Sequence, residues 1–192
     1  MESQINPKGI LLLALIAALV ATLCDAIHVY TKTLSYPDPF IFNQAIWVFP
    51  GFFLAFLFMA ISYVIIIKRL KHKIPVNKSQ TSGNANDFAE NIIMFAFVYM
   101  LSGFANFSPE FLILLFYSTF LFRWAFSYEK AWLMILAILL ALGGIFFEGA
   151  LAAYGLVAYR DPNIFYVPYW LGGVYMHGAF ALREGMRWLG YR

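Results

Sequence analysis

The stretch Ile145–Arg187 reads IFFEGALAAYGLVAYRDPNIFYVPYWLGGVYMHGAFALREGMR. An apolar run carries one carboxylate, Glu148, and ends in the polar turn Arg160-Asp161-Pro162-Asn163. The chain then re-enters an apolar segment past Phe165, Tyr166, Tyr169 and Trp170. Amphipathic rings in that position suit a membrane–water interface. The second segment holds His177 near its middle and basic residues at its end. The stretch predicts a hairpin of two membrane helices with polar groups inside.

The rest of the chain has the same character. Of its 192 residues, 62% are hydrophobic, 20% aromatic and only 12% charged. A soluble domain carries about 25% charged residues, so this chain cannot coat a water-facing surface. Its apolar runs reach the roughly 20 residues that a helix needs to cross a bilayer. The expected fold is an all-α, polytopic membrane protein, a single six-helix transmembrane domain over residues 1–192. A nucleic-acid partner is not expected. The lone cysteine, Cys24, lies in an apolar run and cannot form an intrachain disulfide. The first apolar run extends through Asp25 to His28 without a small-residue cleavage site, which predicts a retained helix rather than a signal peptide.

The expected helices cover about 9–30, 41–67, 90–105, 109–126, 129–159 and 163–189. Pro7 fits a helix start, where its missing N–H costs nothing. Pro37 and Pro39 exclude a helix between the first two spans. Pro50 either kinks the second helix or marks its true start. Ser108 and Pro109 form a cap and first helical residue. Gly143-Gly144 either bends the fifth helix or admits a close neighbour. Residues 68–89 form the one long polar loop. It opens with Lys68-Arg69-Leu70-Lys71-His72-Lys73, a topology signal that also suits anionic lipid.

The basic residues test the count. Six spans put Lys8, Lys68, Arg69, Lys71, Lys73, Lys78, Arg123, Lys130, Arg183, Arg187 and Arg192 on one side, leaving only Lys32 and Arg160 on the other. Positive residues accumulate on the cytoplasmic side, so both termini are expected there.

Ionisable side chains within spans are costly and turn towards the bundle interior. Asp25 and His28 are three apart and share a helix face. At 1.5 Å per residue, Asp25 lies roughly 24 Å and Glu148 roughly 28 Å from the cytoplasmic end, while His177 lies roughly 20 Å below the outer end. Asp25, His28 and Glu148 are thus expected to meet and His177 to lie apart. The packing alternative is polar glue: Asp25 with His28, and Glu148 with a tyrosine or asparagine. Pocket candidates are Asp25, His28, Trp47, Asn106, Glu148, Tyr154 and His177. Two histidines at different depths make a poor zinc site, so neither metal nor cofactor is expected. Glu184 beside Arg183 and Arg187 is expected to form an interfacial ion pair. No phosphate-binding loop, nucleophile elbow or HExxH motif occurs. The enzymatic alternative is acid–base chemistry on a lipid or isoprenoid by Asp25, His28 and Glu148.

Three groups of residues resemble the Insig (insulin-induced-gene) family. Tyr154-Gly155, Tyr159, Asp161-Pro162, Phe165-Tyr166-Val167 and Trp170-Leu171 are similar to its C-terminal hairpin. Ala45-Ile46-Trp47-Val48-Phe49-Pro50 resembles the approach to its second helix, and Ser102-Gly103-Phe104-Ala105-Asn106 its turn between helices three and four. The resemblance implies six helices, cytosolic termini and a central cavity for a lipid or sterol-like ligand. It also implies a partner membrane protein or homo-oligomer. Gly172 stands where the family has proline. Ser127-Tyr128 stands where it has the Asp-Arg pair tied to its sterol-sensing partner. The expected location is an integral membrane: the plasma membrane of a prokaryote, or the endoplasmic reticulum of a eukaryote.

Overall fold

The structure is a computed structural model and describes residues 4–70, 83–104 and 107–191. Six α-helices run through these residues: α1 (Pro7–Tyr30), α2 (Val48–Leu70), α3 (Ala85–Phe104), α4 (Pro109–Ala125), α5 (Lys130–Ala153) and α6 (Leu171–Gly185). A π turn, Met186–Gly190, extends α6. Helices α1, α2, α3 and α5 are long and apolar enough to cross a membrane. Helix α4 has 17 residues and α6 has 15. Asn106, Lys71, His72, Lys73, Lys78 and Arg192 lie outside the described residues.

Helix α6 is the axis of the bundle. It is buried along most of its length and packs on α3, α4 and α5. A helix faced by protein rather than lipid needs no continuous apolar surface, which accounts for its glycines and its His177. Helix α2 is the opposite case. It packs against α1 and presents Leu54, Phe58, Ile61 and Ile65 outward.

Both ends of the bundle are tied. At one end β1 (Leu34–Ser35) pairs antiparallel with β2 (Ala158–Tyr159), and the Arg160 N–H donates to the Thr33 carbonyl at 2.9 Å. At the other, Ile5 bridges Tyr191, and the Asn6 N–H donates to the Gly190 carbonyl at 2.9 Å. There too the Gly83 N–H reaches the Arg187 carbonyl at 3.1 Å. Ile5 and Tyr191 therefore meet opposite the β1–β2 pair.

Helix starts follow local chemistry. Pro7 lies in the first turn of α1 and Pro109 in that of α4, with the Ser108 hydroxyl accepting from the Phe111 N–H at 3.3 Å. Asn84 caps α3 by accepting from the Asp87 N–H at 2.8 Å.

Four boundaries differ from expectation. Helix α3 begins at Ala85 rather than near 90, inside the stretch 68–89 expected as a polar loop. Pro50 marks the start of α2 rather than a kink. Residues 41–43 form a separate 3₁₀ turn, broken from α2 by positive φ at Phe42 and Asn43. Helix α5 stops at Ala153 rather than near 159. Gly155 adopts φ +70°, its N–H donates to the Ala152 carbonyl, and the Leu156 N–H donates to the Leu151 carbonyl, both at 2.9 Å. That pair of bonds is a Schellman cap, which needs a left-handed residue at Gly155. Helix α6 begins at Leu171 rather than near 163. Phe165 and Tyr166 have positive φ, and Pro168 disfavours helix in the residue before it.

Candidate functional site

A cavity of about 690 Å³ lies between α2 and α5, floored by α6 and closed from behind by α3. Ligand cavities typically measure about 300–1,000 Å³. Gly51, Ala55, Met59, Ser62 and Ile66 line it from α2. Their spacing of four, four, three and four puts them on one helix face. Two of the five are Gly and Ala, too small to fill the space. From α5 come Leu136, Leu140, Gly144 and Glu148, again four apart. Gly144 has a packing role: a Cβ there would collide with the ring of Tyr175 on α6. Gly143 has open space beside it. The Gly143-Gly144 pair thus serves close packing at one position only.

Glu148 is the one carboxylate on the cavity wall. Tyr175 Oη donates to its Oε1 at 2.9 Å and Tyr159 Oη to its Oε2 at 3.1 Å. Tyr159 lies in β2, outside the spans. Burial first, and the Glu148 charge second, push its phenol well above the usual tyrosine range, so it remains a donor. At the rim, Phe146 stacks on Phe165 with ring centroids 5.7 Å apart and planes 11° from parallel.

Asp25 and His28 do not line this cavity. Asp25 is buried and accepts from Gln44 Nε2 at 2.7 Å, Tyr36 Oη at 2.8 Å and Tyr99 Oη at 3.3 Å. Tyr36, in the loop after α1, is held protonated by burial and by the adjacent Asp25 carboxylate. Tyr99 also lines the cavity, so it stands between Asp25 and the open space. His28 points another way: Nδ1 is 2.9 Å from the Cys24 carbonyl and Nε2 2.8 Å from Ser102 Oγ. A carbonyl only accepts, so Nδ1 carries the proton. Both ring nitrogens are occupied. The Asp25–His28 pairing expected in the packing alternative is absent, because each side chain finds its own partners.

His177 forms a separate cluster. Arg123 donates from one guanidinium nitrogen to His177 Nδ1 and from another to Asn91 Oδ1, both at 2.8 Å. His177 Nε2 then donates to the Phe116 carbonyl at 3.1 Å. The Arg123 guanidinium also lies 4.0 Å over the Phe180 ring. Trp47 stands edge-on to Tyr36 with centroids 5.6 Å apart, behind the Asp25 group. Tyr154 is 83% exposed and away from the cavity. Glu184 forms the expected ion pairs with Arg183 and Arg187, the latter at 3.8 Å. It is buried with Arg183 at 2.8 Å, and Tyr128 Oη donates to it while the Tyr128 ring lies under the Arg183 and Arg187 guanidiniums.

Of the three side chains expected to meet, Glu148 lies on the cavity wall, Asp25 lies behind Tyr99, and His28 bonds away from both. Tyr36, Gln44, Tyr99 and Tyr175, which hold the two carboxylates, are not among the residues the sequence singles out. A signal existed for two of them: Tyr99 and Tyr175 sit inside apolar runs, where a phenol needs a partner.

By sequence, no protein-family profile matches the chain and no curated protein is significantly similar to it. By structure, it is similar to an Insig homologue of Mycobacterium vanbaalenii, MvINS. The two superpose with a TM-score of 0.77 at 18% identity over 97% of this chain and 96% of the other. A cross-linked trimer of a cysteine variant of MvINS superposes at 0.74, also at 18% identity, over 96% of each chain. The chain thus has the fold of this Insig homologue, and its helices α1, α2, α3 and α5 are long and apolar enough to cross a membrane.

Proposed function

We propose that this protein holds a lipid or sterol-like apolar ligand in the cavity between α2 and α5, with the ligand's polar end at Glu148. The observation that carries this reading is the cavity itself: about 690 Å³, walled by Phe, Leu and Ile, with a single carboxylate at one end. From Leu136 to Glu148 the wall is roughly 18 Å of helix, enough for a rigid ring system or a long chain. Asp25, with Tyr99 between, supports the polar end; Trp47 and His28 brace the elements around it. The acid–base alternative has less support, because His28 has both nitrogens bonded away from the cavity.

In this reading the whole chain is one transmembrane domain of six spans with both termini cytoplasmic. The pairing of Ile5 with Tyr191 at one end of the bundle supports it. So do Lys8 and Arg187, which lie at that end. Ligand binding stabilises the packing of α2, the least buried span, and is read by a second copy or another membrane protein. MvINS is the precedent for a trimer. Tyr128, where the family carries its partner-binding pair, is instead engaged with Glu184, Arg183 and Arg187 inside this chain.

Native mass spectrometry of the detergent-purified protein tests the reading. A co-purifying lipid is expected for the natural chain and its loss for Ala55→Trp, which fills the cavity from α2. A natural chain that carries no lipid and takes none up from added extract would refute it.

A further inference from the structure

The polar end of the cavity is built from acceptors. Glu148 receives two phenolic hydrogen bonds, one on each oxygen, so each oxygen keeps accepting capacity. Glu148 is only part-buried although it lies among α5, α6 and β2, so the surface it still exposes is cavity wall. Behind it, Asp25 is close enough for its charge to act on Glu148. Every group that bonds either carboxylate is a neutral donor: Tyr36, Gln44, Tyr99, Tyr159 and Tyr175. Among the described residues no Lys, Arg or His bonds either one. On the β1–β2 side, Lys32 is exposed and Arg160 is paired with Asp161 at 2.8 Å.

Two acidic side chains in an apolar surround, with no cation bonded to either among the described residues, leave at one end of a long apolar space a place that a bound cation would fill. Buried charge is costly unless paired. The geometry points to a cationic amphiphile as the occupant: a long apolar tail between α2 and α5, and a protonated primary amine donating to Glu148. An ammonium offers three donors and a positive charge in a compact head. A neutral hydroxyl offers one donor and no charge, and an anionic head is repelled. This assignment rests on the cavity's being a lipid site and adds the charge of the head to it.

The test uses three probes with one tail: octadecylamine, octadecanol and octadecanoate. Binding of each to the full-length protein in a neutral detergent at pH 7 is measured by native mass spectrometry. The amine is expected to bind about tenfold more tightly than the alcohol, the margin of a charged over a neutral hydrogen bond. The acid is expected to bind most weakly. Glu148→Gln is expected to remove the amine's preference while leaving the alcohol within about twofold. The wild-type ranking decides the matter even if that variant fails to fold. An alcohol that equals or beats the amine overturns the inference and leaves the lipid site standing. If the acid binds best, the charge argument is reversed. If none of the three binds, both the inference and the lipid site fall.

Discussion

Asp25 shows how much one side chain can hold. It accepts hydrogen bonds from the loop after α1 through Tyr36, from the approach to α2 through Gln44, and from α3 through Tyr99. Asp25→Ala would leave two or three buried donors without a partner. Each such group costs about 1–3 kcal/mol, so the variant should lose several degrees of melting temperature in detergent. Asp25→Asn, which keeps an acceptor, should lose less. Equal melting of wild type and Asp25→Ala would mean that these bonds contribute nothing. The positions of Asp25, His28, Glu148 and His177 were legible in the sequence because an ionisable residue in an apolar run has to face inward. Their partners were not. Tyr99 and Asp25 are 74 residues apart, and Tyr175 and Glu148 are 27 apart. Hydropathy places a residue in a span but does not say which spans touch.

Helix existence was read correctly from the apolar runs, and helix ends less so. The apolar pattern predicts that α5 runs on to Tyr159, because Ala152, Ala153 and Leu156 continue it. The stop signal was Gly155, whose φ of +70° closes the Schellman cap. Gly155→Ala adds no clash, since nothing lies within 4 Å of the new Cβ. It forces an L-residue into the left-handed region at a cost of about 1–2 kcal/mol. We expect a lower unfolding midpoint and earlier proteolysis in the loop 154–170, with ligand uptake unchanged. A variant as stable as wild type would show that the cap does not hold the end of α5. The sixth helix misled for a related reason. The aromatic run before Pro168 is apolar enough to read as helix, but its backbone is set by the proline and by positive φ at Phe165 and Tyr166. The cavity face of α2 was legible in principle. Gly51, Ala55 and Ser62 fall on one side of a helix made mostly of larger apolar residues, and small residues facing inward leave volume.

At the scale of the whole molecule, composition points to a membrane protein, and the asymmetry of Lys and Arg carries the expectation of six spans with both termini cytoplasmic. The family likeness rested on scattered short motifs that gained weight only when the fold matched an Insig homologue over nearly the full length. The topology makes a direct prediction. With a single cysteine introduced in a Cys24→Ser background, Asp38→Cys should react with a membrane-impermeant maleimide from outside the cell. Lys8→Cys should react only after permeabilisation. Labelling of both from one side would contradict six spans.

The central claim is that the space between α2 and α5 is a lipid site, and the retained ligand tests it most directly. Native mass spectra of wild type and Ala55→Trp, purified side by side, should show a bound amphiphile on the first and none on the second, with both proteins equally helical. Equal lipid retention by the two would place any bound lipid outside this cavity and contradict the account.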